Sequence, residues 1–504
     1  MMINKLLLWL LCVTALFARA PATGFAADKS RPNVIFLMDD QHRWDALGVV
    51  DGAVKTPNLD ALAKSGILYD QAVCQAPMCI ASRNSMMFGL YPNQTGVLRN
   101  GHGMPDAQLP ARPLPELFRD AGYQTAGFGK THWGLVCGTR GFETRYIAEC
   151  LENDAVMMID DAPAAKQRYD AESKTMGPGE EDNLGYLGFT SPLPEGEHRD
   201  GWVTNKCLEF IDGEIDPERP LFLYLSFLKP HAGHNVPAGY EDRYDVNDTQ
   251  YASQPPWTED RSPHAAGVNR RDKYIDYWSK ATDEQWRLMT MRYRANCTWI
   301  DDMFGRALKA LQRKGVLDNA IIVFCSDHGE MLGERFYRFN KYCLYESSVR
   351  VPLVLAGSAI PEQLRGTRDH RAAELVDLYP TLLSATGIEV PQQSVGLNLL
   401  DRQKRPASFC ALHEREAEAA FMWRTADHKL ILRMKRRVDD DASTYTANDI
   451  IGGEFFDLVN DPQEWRDLYS APSVHLETRE RMTQELLAFL KSHHKRTNFR
   501  QRKR

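Results

Sequence analysis

The chain has 504 residues, 43% of them hydrophobic and 26% charged, and a formal net charge of −7. This composition is typical of a globular protein with one large α/β domain and an appendage, or with two to three ordinary domains. Because the charge is not strongly basic, it argues against a nucleic-acid-binding protein.

The first 27 residues have the pattern of a secretory signal peptide. Lys5 precedes an apolar run at residues 6–17, and an Ala- and Gly-rich stretch follows the run. The run is shorter than the roughly 20 residues that a membrane-spanning helix needs, and no later stretch of the sequence is long and apolar enough to span. We therefore expect cleavage between Ala20 and Ala27 and a secreted or periplasmic protein without a membrane span.

Five apolar runs alternate with amphipathic segments along most of the chain. The runs at 33–38, 125–129, 221–227, 320–326 and 351–357 predict buried parallel strands. The segments 56–66, 113–122 and 293–315 have helical periodicity, and each ends at a glycine. The alternation predicts an α/β fold with a large, doubly wound, mostly parallel sheet flanked by helices. In such sheets, ligands bind beyond the carboxyl ends of the strands.

The character of the sequence changes near residue 402. Residues 429–434 and 454–458 predict short strands, and residues 476–494 predict an amphipathic helix. We expect a smaller subdomain with a short antiparallel sheet and a packed helix. The predicted organisation is a signal peptide at 1–27, a catalytic domain at 28–401, a C-terminal subdomain at 402–492 and a disordered basic tail at 493–504.

Acidic residues follow two of the predicted strands. Asp39 and Asp40 follow the run at 33–38, and Asp327 and His328 follow the run at 320–326. Adjacent carboxylates at the mouth of a buried strand repel each other unless a cation lies between them. Each acid alone could instead cap a following helix. The occurrence of two such strand ends favours an oxygen-rich site for Ca²⁺ or Mg²⁺ over zinc.

Basic residues flank the other predicted strands. Lys130 and His132 follow the run at 125–129, His231 follows the run at 221–227, and Lys341 precedes the run at 351–357. A single lysine or histidine is usually a solvated or structural residue. The set, together with the acids, predicts a site that binds a tetrahedral oxyanion and transfers protons around it.

Residues 79–89, CIASRNSMMFG, place Cys79 at the start of a predicted helix and Arg83 four residues later. Cys79 alone would be interpreted as a small buried hydrophobic residue. We interpret residues 86–88 as the core face of the helix, whose dipole favours an anion beside Cys79. Nine cysteines follow Cys12 without a CxxC pair or zinc spacing, so the sequence allows one or two disulfides and requires none.

The motifs taken together resemble those of the formylglycine-dependent sulfatases, in the alkaline-phosphatase-like superfamily. The likeness includes C-x-A-x-R at 79–83, and it runs in order from about residue 31 to about residue 400 and again at 453–469. The other motifs are DDQ (39–41), GKTH (129–132), PH (230–231), SDHG (326–329), and Lys341 with YESSVRVP (345–352). The resemblance implies hydrolysis of a sulfate monoester to an alcohol and inorganic sulfate.

In that family the cysteine is oxidised to formylglycine, an aldehyde that hydrates to a diol. A sulfated diol can collapse to the aldehyde and expel sulfate by C–O cleavage, without a second attack at sulfur. The resemblance implies that one Ca²⁺ is held by Asp39, Asp40, Cys79, Asp327 and His328. Many relatives have Asn where this chain has His328, and a ring nitrogen is a poorer calcium ligand than an amide oxygen.

The resemblance also implies roles for the basic residues. Arg83 would fix the diol, and Lys130 and Lys341 would neutralise charge on the sulfuryl oxygens. His231 with Lys341 would protonate the leaving alcohol, and His132 would take the proton that allows the diol to collapse.

Two departures from the family pattern concern the maturation of Cys79. Ala81 stands where the family usually has proline, and residues 88–90 are Phe-Gly-Leu where it usually has Thr-Gly-Arg. The second departure predicts partial conversion by the formylglycine-generating or other sulfatase-maturing enzyme. Without conversion the chain would be a non-catalytic sulfate-ester binder. A phosphonate or phosphate monoester hydrolase is the other alternative, because such enzymes of the superfamily also have C-x-A-x-R and an Asp-His metal pair.

Residues 232–275 are rich in aromatic, basic and amide side chains and have no strong strand or helix pattern. Such a loop suits a sugar ring, whose faces stack on aromatic side chains and whose hydroxyls form hydrogen bonds. The same composition also suits a plain surface loop. We predict a sulfated carbohydrate as the substrate, with an aryl sulfate or choline sulfate as alternatives.

Overall fold

The computed structural model describes residues 28–493 except 102–103, 105, 135, 150, 176–185, 257–273, 414–417, 436–440 and 472–474. The predicted signal peptide, and the predicted tail beyond residue 493, lie outside the described residues. Residues 257–273 of the predicted substrate loop also lie outside them. Within the described residues, no helix has both the length and the apolar character needed to cross a membrane.

The described strands and helices alternate through most of the chain. The strands are β1 (Asn33–Asp40), β2 (Ile67–Tyr69), β3 (Ala72–Val73), β4 (Gln124–Gly129), β5 (Val136–Cys137), β6 (Thr144–Ile147), β7 (Leu151–Glu152), β8 (Val156–Met157), β9 (Thr190–Ser191), β10 (Leu221–Pro230), β11 (Val236–Pro237), β12 (Ala320–Ser326), β13 (Leu353–Ala356), β14 (Thr367–Asp369), β15 (Ala373–Glu374), β16 (Ser408–Leu412), β17 (Glu418–Arg424), β18 (His428–Lys435) and β19 (Ile450–Asp457). The helices are α1 (Pro57–Ser65), α2 (Cys79–Phe88), α3 (Pro92–Thr95), α4 (Leu114–Asp120), α5 (Met158–Asp161), α6 (Pro163–Thr175), α7 (Arg199–Gly213), α8 (Asp283–Arg313), α9 (Glu334–Tyr337), α10 (Glu346–Val349), α11 (Leu378–Ala385) and α12 (Leu476–Ser492).

A nine-stranded sheet lies at the centre of the larger part, in the order β14-β2-β13-β12-β1-β10-β4-β6-β8. β1 pairs in parallel with β10 on one side and β12 on the other. Successive residues of β1 face two separate cores: Phe36 packs with residues of α2, α4 and α11, whereas Leu37 packs with residues of α1, α7 and α8. Helices therefore cover both faces of the sheet, and the predicted doubly wound, mostly parallel fold is confirmed.

One strand of this sheet runs against the predicted direction. The strand predicted at 351–357 is β13, which pairs antiparallel with β12, so its predicted parallel orientation is wrong. Between these two strands the structure has only the short helices α9 and α10, so no long crossover helix carries the chain back to the opposite edge. The residues that precede β13 therefore lie at the same sheet edge as those that follow β1 and β12.

The C-terminal part contains the antiparallel sheet β16-β17-β18-β19, with α12 packed on one face. The predicted strands at 429–434 and 454–458 correspond to β18 and β19. β16 and β17 were not predicted, because both faces of these strands are buried and apolar: Met422 faces the core of the larger part, whereas Phe421 faces α12. Such strands lack the alternation of polar and apolar residues that identifies a half-exposed strand.

Buried ion pairs join the C-terminal sheet to the larger part. Lys429 Nζ of β18 lies 2.7 Å from Glu346 Oε1 and 2.6 Å from Glu464 Oε1, and its side chain is fully buried. Arg424 of β17 also pairs with Glu346, at 2.8 Å. Because Glu346 begins α10, just before β13, these contacts fix the C-terminal sheet against the central one.

We expect Lys429→Met to lower the free energy of unfolding by about 3–5 kcal/mol, because it leaves buried carboxylates without their cation. Chemical denaturation would measure the change. The matched control is Lys435→Met at the exposed end of the same strand, where the expected change is within about 0.5 kcal/mol. Equal stability of the two variants would show that the buried pairs do not hold the two parts together.

Candidate active site

Polar side chains from several elements converge at the carboxyl edge of the central sheet. β1 ends at Asp40, β12 leads into Asp327, and Lys130 directly follows β4. Cys79 is the first residue of α2 and is 2% exposed. Its position at the helix N-terminus places it where the helix dipole favours negative charge.

Four of the predicted metal ligands form one buried cluster. Asp40, Cys79, Asp327 and His328 each offer a ligand atom, and these atoms lie within 4.8 Å of one another. Cys79 Sγ is 3.2 Å from His328 Nε2 and 3.8 Å from Asp40 Oδ1. His328 Nδ1 lies 3.0 Å from the Gly329 carbonyl oxygen. A carbonyl only accepts, so Nδ1 carries a hydrogen and Nε2 faces the cluster. Burial lowers the pKa of His328, but Asp327 and Cys79 outweigh burial and raise it.

The fifth predicted ligand, Asp39, lies beside this cluster and is fully buried. Its Oδ1 has no hydrogen-bond partner among the described residues. Burial raises the pKa of Asp39, and it also raises the pKa of Asp327 despite the opposing effect of Arg83. An acceptor oxygen without a donor, and carboxyls whose charge is only partly compensated, fit residues that hold a divalent cation.

His42 is a site residue that the sequence analysis missed. Its Nδ1 lies 2.6 Å from Asp39 Oδ2, and its Nε2 lies 2.8 Å from the Ala46 carbonyl oxygen. Burial lowers the pKa of His42, but Cys297 and Asp39 outweigh burial and hold it well above its usual range. The ring therefore donates to both oxygens and orients Asp39. The only signal in the sequence was its position directly after the DDQ motif.

Arg83 connects the nucleophile helix to the acidic cluster. It lies one helical turn after Cys79, so both side chains project from the same face of α2. Its guanidinium is 2.7 Å from Asp327 Oδ2 and 3.4 Å from Asp40 Oδ2. A third contact, of 2.6 Å, runs from Nη1 to the Lys130 carbonyl oxygen. Arg83 therefore links the ends of β1, β12 and β4 at the carboxyl edge of the sheet.

Two lysines surround Cys79 with positive charge. Lys341 Nζ lies 3.1 Å from Cys79 Sγ, and Lys130 Nζ lies 2.6 Å from Asp40 Oδ2. Burial and Asp40 raise the pKa of the Cys79 thiol, but Lys341, Lys130 and His328 outweigh them and hold it well below its usual range. The site therefore stabilises a negative charge at the position of Sγ.

His231 lies on the other side of Lys341. Its Nε2 is 3.1 Å from Lys341 Nζ, and its Nδ1 is 3.3 Å from the Ala232 carbonyl oxygen. Burial, with the charge of Lys341, lowers the pKa of His231 to about 3. The ring is therefore neutral and accepts a hydrogen bond from the lysine, so the transferable proton of the pair resides on Lys341.

His132 is the predicted site residue with the weakest connection to the others. It has a positive φ of 50°, and its buried Nδ1 has no hydrogen-bond partner among the described residues. All other predicted catalytic residues and ligands belong to one network of direct contacts, and His132 forms no hydrogen bond to that network in the described part of the chain.

The helix α2 packs in the core, and Cys79 at its start is a free thiol. Met86, Met87 and Phe88 are buried, which confirms them as the core face of α2. Seven described cysteines are free thiols, and none of these seven forms one of the disulfides that the sequence allows. The other six are also buried, and one of them, Cys297, contributes to the raised pKa of His42. They are Cys74, Cys207, Cys297, Cys325, Cys343 and Cys410.

Comparisons with known proteins agree with this geometry. The model of the sulfatase family matches residues 32–388, and the model of the N-sulphoglucosamine sulphohydrolase C-terminal region matches residues 333–492. The chain is 30% identical over 389 residues to an arylsulfatase of Clostridium perfringens, covering 74% of this chain and 78% of that protein. It is 27% identical over 451 residues to an ulvan-active sulfatase of Formosa agariphila, covering 88% and 78% respectively.

The fold is similar to that of the phosphonate monoester hydrolase of Agrobacterium radiobacter, with a TM-score of 0.73. The two chains are 22% identical, and the match covers 92% of this chain and 96% of the other. At this identity the likeness concerns the fold alone. The family match, by contrast, spans most of the chain, including the candidate site. The chain therefore belongs to the sulfatase family and is a hydrolase that acts on sulfate esters.

Proposed function

We propose that the protein hydrolyses the sulfate ester of a carbohydrate by means of a formylglycine made from Cys79 and one bound Ca²⁺. The observation that carries the proposal is the surroundings of Cys79 Sγ, which lies 3.1 Å from Lys341 Nζ and 3.2 Å from His328 Nε2 in a buried site. In the proposed enzyme, Sγ marks the position of the hydroxyls of the hydrated aldehyde.

The donor set of the site suits both groups. Asp39, Asp40, Asp327, His328 and the modified Cys79 would hold the ion, which would supply positive charge to the sulfate oxygens and to the nucleophilic hydroxyl. The hydrated formylglycine would supply that nucleophilic hydroxyl and a second hydroxyl. Loss of the proton from the second hydroxyl would re-form the aldehyde and expel the sulfate on the first oxygen by C–O cleavage. Arg83 keeps the nucleophile and the carboxylates in place through its contact of 2.7 Å with Asp327.

The remaining residues divide between anion binding and proton transfer. Lys130 and Lys341 would neutralise charge on the sulfuryl oxygens, where fixed cations act more strongly than in water. Lys341 holds a proton 3.1 Å from neutral His231 Nε2, so this pair is placed to deliver a proton to the leaving alcohol. We assign proton removal from the second hydroxyl to His132.

We expect His231→Ala to reduce kcat by about 10²–10⁴-fold on a sugar or alkyl sulfate, because the leaving alkoxide then lacks its proton donor. The loss should be much smaller on 4-nitrophenyl sulfate, since nitrophenolate leaves without protonation. Steady-state kinetics on the two substrates would measure the difference. Exposed His370 provides the control, and His370→Ala should change neither rate. Near-normal activity of His231→Ala on the sugar sulfate would contradict the assignment.

A cavity between the larger part and the C-terminal sheet supports a carbohydrate substrate. It has a volume of about 540 Å³ and is lined by both subdomains, with Trp44, Tyr251 and Trp465 among charged and polar side chains. Arg43, two residues after the DDQ motif, and Ser347 of α10 also line it, so it opens at the sheet edge that carries the site. Aromatic faces among polar groups suit sugar rings.

We expect Trp465→Ala to raise KM for a sulfated oligosaccharide by about tenfold, because one stacking surface is removed. KM for 4-nitrophenyl sulfate, which has no sugar ring to stack on Trp465, should not change. Val459→Ala, at a 66% exposed position on the neighbouring turn, is the control. An equal effect of Trp465→Ala on both substrates would exclude the cavity as a sugar-binding surface.

The alternative reaction is the hydrolysis of a phosphonate or phosphate monoester. The Asp327-His328 pair is the feature that favours it, since phosphonate monoester hydrolases of the superfamily have the same pair. Rates on the sulfate and phosphate monoesters of one alcohol separate the two. We expect the larger kcat/KM for the sulfate, and the reverse order would replace the proposed reaction.

Maturation and location follow from the same proposal. The cysteine is 2% exposed, so the maturing enzyme must reach Cys79 before the domain folds. We propose that this occurs before or during export, followed by removal of the signal peptide and release into the periplasm or medium.

A further inference from the structure

The open end of the C-terminal sheet carries a second group of metal-ligating side chains. His428 begins β18 and lies directly opposite Asp457, the last residue of β19, in the antiparallel register. His475 immediately precedes α12. One ligand atom of each residue lies within 4.8 Å of the other two, and His475 Nε2 is 3.6 Å from Asp457 Oδ2.

Neighbouring residues fix the orientation of two of these side chains. Asp457 Oδ1 accepts hydrogen bonds of 3.1 Å from the backbone N–H groups of Val459 and Asn460. Its Oδ2 accepts one of 2.7 Å from Asn460 Nδ2. The His428 ring stacks on Phe455, with centroids 5.5 Å apart and planes 19° apart. Contacts of this kind orient ligands before a metal ion binds.

One feature of His428 has no explanation within the fold. His428 Nε2 is buried and has no hydrogen-bond partner among the described residues. His475 has a φ of 60°, in the left-handed region, which histidine adopts more often than most residues other than glycine. The two rings lie 5.0 Å apart and tilted by 62°, so they are not stacked on each other. A shared ligand would account for the unpartnered nitrogen of His428.

We propose that His428, Asp457 and His475 bind a transition-metal ion of the Zn²⁺ class, at a site separate from the catalytic cluster. Two imidazoles and one carboxylate are a zinc ligand set, whereas Ca²⁺ prefers oxygen ligands throughout. The side chain of His475 is 32% exposed, so water can reach the site as a fourth ligand. The ion would fasten the start of α12 to the end of the sheet on which the helix packs.

Zinc titration of the full-length protein by isothermal calorimetry tests the proposal, with Ca²⁺ present and with Cys79→Ala to remove the thiol from the catalytic cluster. We expect one Zn²⁺ per chain. Adding His475→Asn or Asp457→Asn should weaken zinc binding by about 100-fold or more. Asparagine tolerates the positive φ at position 475, so the backbone there need not change.

Two further measurements distinguish a metal site from a structural contact. His370→Ala removes an exposed histidine whose Nδ1 is 2.6 Å from Asp70 Oδ2, and it should leave zinc binding unchanged. The described residues offer this pair no third ligand. Zinc should raise the thermal unfolding temperature of the Cys79→Ala protein and leave that of the protein with added His475→Asn unchanged. Absence of a bound zinc, or equal zinc affinity with and without His475→Asn, would overturn the proposal. Neither readout depends on sulfatase activity.

Discussion

Replacing Cys79 with alanine is expected to reduce sulfate-ester hydrolysis by about 10⁴-fold or more. The variant removes the atom from which the proposed nucleophile is made, and only the binding groups around it remain. Cys79→Ser should lose nearly as much, because a serine ester of sulfate needs a second attack at sulfur. The measurement is kcat/KM on 4-nitrophenyl sulfate, with circular dichroism to show that the fold is retained.

The matched control for this loss is Cys207→Ala, which replaces another buried free thiol on α7. Cys207 packs in the core on the face of the sheet opposite α2, away from the acidic cluster. We expect its replacement to cost some stability and to leave kcat/KM within a factor of about two, since the site does not contact it. If the activity of Cys79→Ala is within tenfold of that of the protein without substitutions, the reaction uses another nucleophile.

Replacing Asp327 with asparagine should remove both bound calcium and activity, the latter by about 10³-fold or more. Asp327 is a proposed ligand whose Oδ2 also lies 2.7 Å from Arg83 Nε, so one substitution weakens the ion and the residue that positions the nucleophile. Elemental analysis of the purified protein and kinetics in the presence of added Ca²⁺ would measure the two losses. Part of the activity should return at high Ca²⁺.

The control is Asp318→Asn, at an exposed turn before β12, which should retain both calcium and activity. Removal of the ion with a chelator from the protein without substitutions should reproduce the loss of activity. Added Ca²⁺ should restore that activity better than Zn²⁺. If chelation leaves the rate unchanged, or if Asp327→Asn binds calcium normally, the acidic cluster is not the metal site that the proposal requires.

The sequence predicted much of the site because its residues stand at the ends of strands. Asp39 and Asp327 directly follow apolar runs, and the order of such runs determines which side chains meet at the edge of a parallel sheet. Lys341 reached the same edge for a different reason, since β13 runs antiparallel. Periodicity does not encode strand direction, so the strand could be predicted from the sequence and its orientation could not.

The residues that were missed depend on contacts between distant segments. His42 gains its role from Asp39 and the Ala46 carbonyl, and no spacing pattern distinguishes it from a surface histidine. The metal ligands proposed in the C-terminal subdomain come together only because β18 and β19 pair in one register and α12 starts beside them. Sequence motifs identify residues that act in known combinations, whereas such groups become visible only in the fold.

The most direct test of the account is the mass of the peptide that carries Cys79, from protein produced in its native host. Conversion of the thiol to the aldehyde lowers the mass by about 18 Da, as sulfur and hydrogen are replaced by oxygen. The account predicts this loss in the active fraction, with activity proportional to the converted share. An active protein in which Cys79 is wholly a thiol would contradict the formylglycine mechanism.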